Sequence, residues 1–246
     1  MTPLAPLALS VSFLTVLPAP RVTMHRATIA QAAALFPVVG IGLGAALGGL
    51  GLLLDRVLPP GPVAVLLLAA GTLLTGALHL DGLIDTADGV FGGTSPARRL
   101  EIMRDSRIGA FGALAGGLAL LGQYACLQEL AGMARLTALT LALGLSRWVM
   151  TAAMALFPAT SSSGLGATFQ AGVSRWPLLA ASVVALALAV ALRPAGLAAL
   201  AVAVVVVLLG GWWLVRRLGG LSGDTYGALA VLGETAVLFT AIAVLP

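Results

Sequence analysis

Charge is what this sequence has least of. Only 9% of its 246 residues are Asp, Glu, Lys or Arg, against 60% hydrophobic residues. The mean hydropathy is +1.08. A soluble domain carries about 25% charged residues, so a solvated globular surface is excluded and the chain reads as an integral membrane protein. Lysine is absent, and all 13 strong bases are arginine. That is a compositional bias rather than a mechanism. The single cysteine, Cys126, excludes an intrachain disulfide. No positive charge precedes Arg21, so the opening segment lacks the basic start of a signal peptide. The apolar runs lack strict two-residue alternation, which excludes a transmembrane barrel in favour of helices. There is no internal repeat, low-complexity tail or soluble domain, and residues 1–246 read as a single membrane domain.

What the chain has is apolar runs long enough to span a bilayer, about 20 residues each. They fall at 28–54, 62–80, 108–128, 136–157, 177–192, 196–215 and 226–245. The expectation is an all-α polytopic bundle of about seven transmembrane helices. The proline-interrupted N-terminal segment reads as an added interfacial or half-inserted helix. Pro59-Pro60-Gly61-Pro62, Pro158, Pro177, Pro194 and Gly219-Gly220 mark breaks. The loops at 19–27, 81–107, 158–176 and 216–225 hold nine arginines and the alternate loops three. This bias predicts that the first set is cytoplasmic. The net charge of +4 suits anionic headgroups better than nucleic acid.

Residues 79–107, HLDGLIDTADGVFGGTSPARRLEIMRDSR, hold five of the nine acidic residues. Asp81, Asp85 and Asp88 are spaced i, i+4, i+7, which places them on one helix face. Their mutual repulsion at a low-dielectric interface is relieved by a divalent cation, and hard oxygen donors suit Mg²⁺. Arg98, Glu101 and Asp105 are spaced i, i+3, i+7 and predict a second helix facing the first. Asp81, Asp85, Asp88, Glu101 and Asp105 are then the candidate metal ligands. Arg98, Arg104 and Arg107 are candidate phosphate contacts. The glycine-rich link at 89–94 turns the chain between the two helices. His79 reads either as an interfacial histidine or as a general base or phosphoryl acceptor, so the candidate catalytic set is His79, Asp81, Asp85 and Asp88.

Arg147 and Glu234 fall near mid-membrane, where a lone charge is costly. They are expected to pair or to line a polar cavity. Asp224 lies in a loop with Arg216 and Arg217. Trp148, Trp212 and Trp213 read as packing or interface aromatics, and Met103 as core.

HLDGLIDTADGVFGG followed by RRLEIMRDSRIGAFG resembles the motif of the cobalamin synthase family, also called adenosylcobinamide-GDP ribazoletransferases. Phe13 to Pro20 is similar to that family's opening segment, and Phe36-Pro37-Val38-Val39-Gly40 to its Pro-x-x-Gly turn. Leu145-Ser146-Arg147-Trp148, Gly164-Leu165-Gly166 with Phe169, and Gly223-Asp224-Thr225-Tyr226-Gly227-Ala228 also resemble family segments. Ala159-Thr160-Ser161-Ser162-Ser163 departs from it, standing where a tyrosine and an arginine are expected. The resemblance implies a Mg²⁺-dependent transfer in the bacterial cytoplasmic (inner) membrane, with the active site facing the cytoplasm. Adenosylcobinamide-GDP reacts with α-ribazole or its 5′-phosphate, and GMP leaves. It also supports Asp224 as a substrate-binding residue. Homo-oligomerisation and association with pathway enzymes stay open.

Other readings compete. Asp85-x-x-Asp88-Gly89 ahead of Glu101-x-x-x-Asp105 is similar to the pattern of CDP-alcohol phosphotransferases, with a shorter gap and one glutamate for aspartate. A prenyltransferase would need a second aspartate-rich loop. A cation-coupled transporter would place its carboxylates at mid-membrane between broken helices.

Overall fold

A computed structural model of the chain describes residues 4–20, 22–23, 25–160 and 165–245, with only the backbone at 165–167. Among these residues there is no strand, only an isolated bridge between Ala159 and Leu221. The molecule is an all-α bundle.

Helix α1 (Ala5–Leu14) is ten residues long, about 15 Å, and falls well short of the ~30 Å hydrocarbon core. It packs on α2 (Arg26–Ala34), where Ser10 Oγ donates to Ala32 O at 2.8 Å. The run at 28–54 is not one helix. Pro37 has no N–H, and its ring clashes with a preceding helical turn. A new helix, α3 (Phe36–Leu54), therefore begins with Pro37 in its first turn. The stretch Phe36 to Gly40, expected as a turn, is helical.

The 62–80 run also breaks. Helix α4 (Pro60–Leu74) and helix α5 (Leu78–Gly92) meet at 88°. Gly76 and Ala77 make this elbow with φ of +59° and +57°, a conformation a helix cannot contain. Helix α6 (Pro96–Ile102) is short and capped by Ser95, whose Oγ accepts from Arg98 N. Helices α7 (Ala110–Glu129), α8 (Gly132–Leu156), α9 (Leu165–Gly172) and α10 (Arg175–Ala191) follow. Helix α11 (Ala195–Val205) continues through a π-helical turn, Val206–Gly210, into α12 (Gly211–Leu218). Helix α13 (Gly223–Val244) starts with a capping box between Ser222 and Thr225.

Among the described residues, five helices are long and apolar enough to cross a membrane, and six if the bent α4–α5 pair counts as one span. Helix α10, at 17 residues, is apolar but shorter. The count of about seven expected from sequence is not reached on this measure.

Helix α8 is the axis of the bundle and is buried along most of its length. Helix α3 packs on it through Gly40, Gly44 and Gly48, one per turn. A Cβ at Gly40 or Gly44 would collide with the carbonyls of Leu143 or Leu139, and one at Gly48 would lie 2.6 Å from Leu136 Cα. The backbones touch because no side chains intervene, as small-xxx-small packing in lipid requires. At one end of α8, buried Arg135 donates Nη1 to Asp55 Oδ1 at 2.6 Å, and Nε to the carbonyls of Leu127 and Leu130. This clamp ties the α3–α4 connection to the α7–α8 connection. The site lies where α5 is wedged between α7 and α13.

Candidate active site

Two glycines set the approach of α5 to α13. A Cβ on Gly82 would stand 2.6 Å from Asp224 O, and one on Gly227 3.2 Å from the His79 backbone. The crossing therefore brings the first turn of α13 onto the aspartate-bearing helix. Asp224 joins Asp81 and Asp85 there, rather than a phosphate site beside Arg216 and Arg217. Asp85 lies within electrostatic range of Asp81, Asp224 and Asp88, and Asp224 within range of Asp81. Asp81 is exposed, Asp85 and Asp224 are half-buried, and Asp88 is buried.

Among the described residues, these four aspartates have no arginine partner. The ion pairs among the described residues engage Glu101, Asp105, Asp55 and Glu234 instead. Unneutralised hard-oxygen donors crowded on one face fit a divalent cation in charge and in donor chemistry. They do not form a closed cage. Among the described residues, no group of three or more His, Cys, Asp or Glu stands close enough to hold a metal ion.

Asp88 has a second occupation. Its Oδ2 accepts from Gly109 N at 2.7 Å and its Oδ1 from Gly112 N at 2.8 Å. Gly109 is the N-cap of α7, so Asp88 caps that helix from α5, with its charge at the positive end of the helix dipole. No local cap replaces it, because Gly109 has no side chain.

The second predicted face does not form. Helix α6 ends at Ile102, so the i+7 register that would align Asp105 with Arg98 and Glu101 is lost. Glu101 pairs with Arg98 at 2.8 Å on an exposed surface. Asp105 pairs with Arg107 at 2.6 Å. Hydrogen bonds from the Arg107 side chain and backbone hold the Asp105 carboxyl down to about 2. The same bond pushes Arg107 up. The five-carboxylate set is thus split between an α5 group and two exposed ion pairs. Arg104 is exposed. Arg99, not singled out from sequence, joins α6 to α12 by donating to Gly93 O and Arg217 O.

His79 is buried, and neither ring nitrogen has a partner among the described residues. Arg147 Nη1 donates to Glu234 Oε2 at 3.0 Å and to Ser146 Oγ at 2.7 Å. His79, Arg147 and Glu234 line one cavity. Trp148 is buried, with Nε1 donating to Ser182 Oγ. Trp212 and Trp213 sit under the guanidinium groups of Arg216 and Arg217, at 4.3 and 5.5 Å. Met103 is buried against Gly89. The departure at Ser161-Ser162-Ser163 and the neighbouring Gly164 lie outside the described residues.

Sequence reasoning missed the capping role of Asp88 and the polar residues Gln123, Thr72 and Thr75 beside Arg147. An amide inside an apolar run was the available signal for Gln123.

A family model described as cobalamin-5-phosphate synthase matches residues 6–242. An adenosylcobinamide-GDP ribazoletransferase of Roseiflexus sp. (strain RS-1) is 45% identical over 245 residues, 97% of this chain and 89% of the relative. Proteins of the same name from Desulforamulus reducens and Deinococcus radiodurans are 40% and 43% identical, over 95% and 94% of this chain and 94% and 83% of theirs. No solved structure gives a significant match.

Proposed function

Because the chain belongs to the cobalamin-5-phosphate synthase family of transferases, we propose that it joins adenosylcobinamide-GDP to α-ribazole or α-ribazole 5′-phosphate with release of GMP. The observation that carries this reading is the α5–α13 crossing, where Asp81, Asp85 and Asp224 gather without a counter-charge. In the transfer, an acceptor hydroxyl oxygen bonds to the phosphorus that carries the cobinamide. The bridging P–O bond breaks, GMP leaves with the electron pair, and the hydroxyl proton is released.

Mg²⁺ held by Asp81 and Asp85, with Asp224 beside them, would neutralise the pyrophosphate oxygens and the leaving group. The residues of the chain supply the rest. Arg104, exposed and in no ion pair among the described residues, is available to a phosphate oxygen. Arg98 and Arg107 become available on exchanging their exposed carboxylate partners for phosphate. Asp88 holds the start of α7 against α5 and so keeps the aspartate face in place. His79 lies on the opposite side of α5, facing the interior cavity. That position favours a packing role for His79 over acid–base contact with substrate. The arginine distribution supports a cytoplasmic position for the aspartate face in a bacterial inner membrane.

The test uses the full chain in nanodiscs with adenosylcobinamide-GDP, α-ribazole 5′-phosphate and Mg²⁺. GMP and cobamide should form in equal amounts and stop with EDTA. No turnover by folded protein would overturn the substrate assignment, and CDP-alcohols would be tried next. Turnover that survives EDTA would remove the metal.

A further inference from the structure

The partly open cavity behind α5 is mostly apolar in lining but gathers several polar side chains. Its volume is about 60 Å³, room for about two water molecules at roughly 30 Å³ each. Five helices bring polar groups to it: α4 through Thr72 and the C-cap Thr75, α5 through His79, α7 through Gln123, α8 through Arg147, and α13 through Glu234. Part of this polar set is satisfied internally. Gln123 Nε2 donates to Thr235 Oγ1, Thr75 Oγ1 donates to Gly71 O, and Arg147 Nη1 bonds Glu234 and Ser146. Three buried atoms are not: His79 Nδ1, His79 Nε2 and Arg147 Nε have no partner among the described residues. Both residues are more than nine-tenths buried.

An unpaired buried polar atom is costly, and three of them on two residues that line one cavity point to a ligand there. The ligand must both donate and accept, since Arg147 Nε only donates and a neutral imidazole does one of each. It must also be small. Water meets both conditions and carries no charge into the bilayer.

We propose that this cavity is an internal hydration site, in which bound water bridges His79, Arg147 and Glu234. At 100° per residue, His79 stands on the opposite side of α5 from Asp81, Asp85 and Asp88. The water cluster thus joins the back of α5 to α8 and α13. It fixes the rotation of α5 that presents the aspartates on the front. Arg147 and Glu234 are positioning residues in this arrangement.

Hydroxyl-radical footprinting by X-ray pulses, on the full chain in nanodiscs, tests this without any turnover. Leu139, Leu141, Leu143 and Leu145 on α8 are all buried, but only Leu139 and Leu143 line the cavity. Radicals formed from bound water should oxidise Leu139 and Leu143 several-fold more than Leu141 and Leu145. Equal low oxidation of all four would overturn the proposal. A double variant, Arg147→Met with Glu234→Leu, should bring Leu139 and Leu143 down to the level of the other two. Unchanged labelling there would remove Arg147 and Glu234 as the water ligands. Because the readout is oxidation, a failure here leaves the transferase reading standing, and a failure of that reading leaves this one standing.

Discussion

Asp88→Asn is the substitution whose outcome separates structure from chemistry at this site. The native carboxylate accepts two backbone N–H bonds, at 2.7 and 2.8 Å, from the start of α7. Each hydrogen bond to a charged group contributes roughly 1.5–3 kcal/mol. An asparagine can accept one of these bonds through its carbonyl oxygen. Its NH₂ group must then face the other N–H, donor against donor. One bond is lost, the other becomes neutral, and the negative charge at the helix start, worth about 0.3–1 kcal/mol, disappears. The expected loss for Asp88→Asn is about 2–4 kcal/mol, and Asp88→Ala, which orphans both N–H groups, should lose more. Asp85 is the internal control. It has no hydrogen bond or ion pair among the described residues and has like charges around it. Asp85→Asn should leave stability within about 0.5 kcal/mol of the native protein or raise it, while abolishing turnover. The assay is equilibrium unfolding in mixed micelles, run beside GMP release. Equal stability of Asp88→Asn and Asp85→Asn would refute the capping argument.

Other outcomes follow from the same geometry. Asp55→Ala leaves Arg135 buried and uncompensated, and should cost about 3–5 kcal/mol by the same unfolding measurement, while Asp55→Leu with Arg135→Met together should cost less. Gly44→Ala drives a Cβ into the Leu139 carbonyl and should destabilise by about 1–3 kcal/mol; Gly42→Ala, which meets open space, should be near neutral. Asp105 titrates at about 2 because Arg107 bonds it. Its folded value is depressed, so its contribution is present above the ordinary carboxylate range and is lost as pH falls through about 2. Carbon-detected NMR should show no Asp105 midpoint between about pH 3 and 5, the ordinary carboxylate range, and Arg107→Ala should return the midpoint to that range.

The sequence by itself determined the solvent, the fold class and the chemistry-bearing helix. Scarcity of charge and runs of about 20 apolar residues leave a helical bundle in lipid as the one stable solution. The i, i+4, i+7 aspartates required only a helix to share a face, and α5 provides it. What was not legible depends on contacts between distant segments. Periodicity could not show that the 62–80 run turns through 88° at Gly76 and Ala77, because an apolar run reads the same whether straight or broken. It could not show that α6 stops before Asp105, since the alternative of an exposed pair with Arg107 is a local electrostatic choice. Nor could it show that Asp88 serves α7, or that Asp224 is drawn to α5 by the contact at Gly82. Spacing along the chain decides which residues share a helix face. Only tertiary packing decides what that face meets, because the partner N–H groups, glycine gaps and counter-charges arrive from segments far away in sequence.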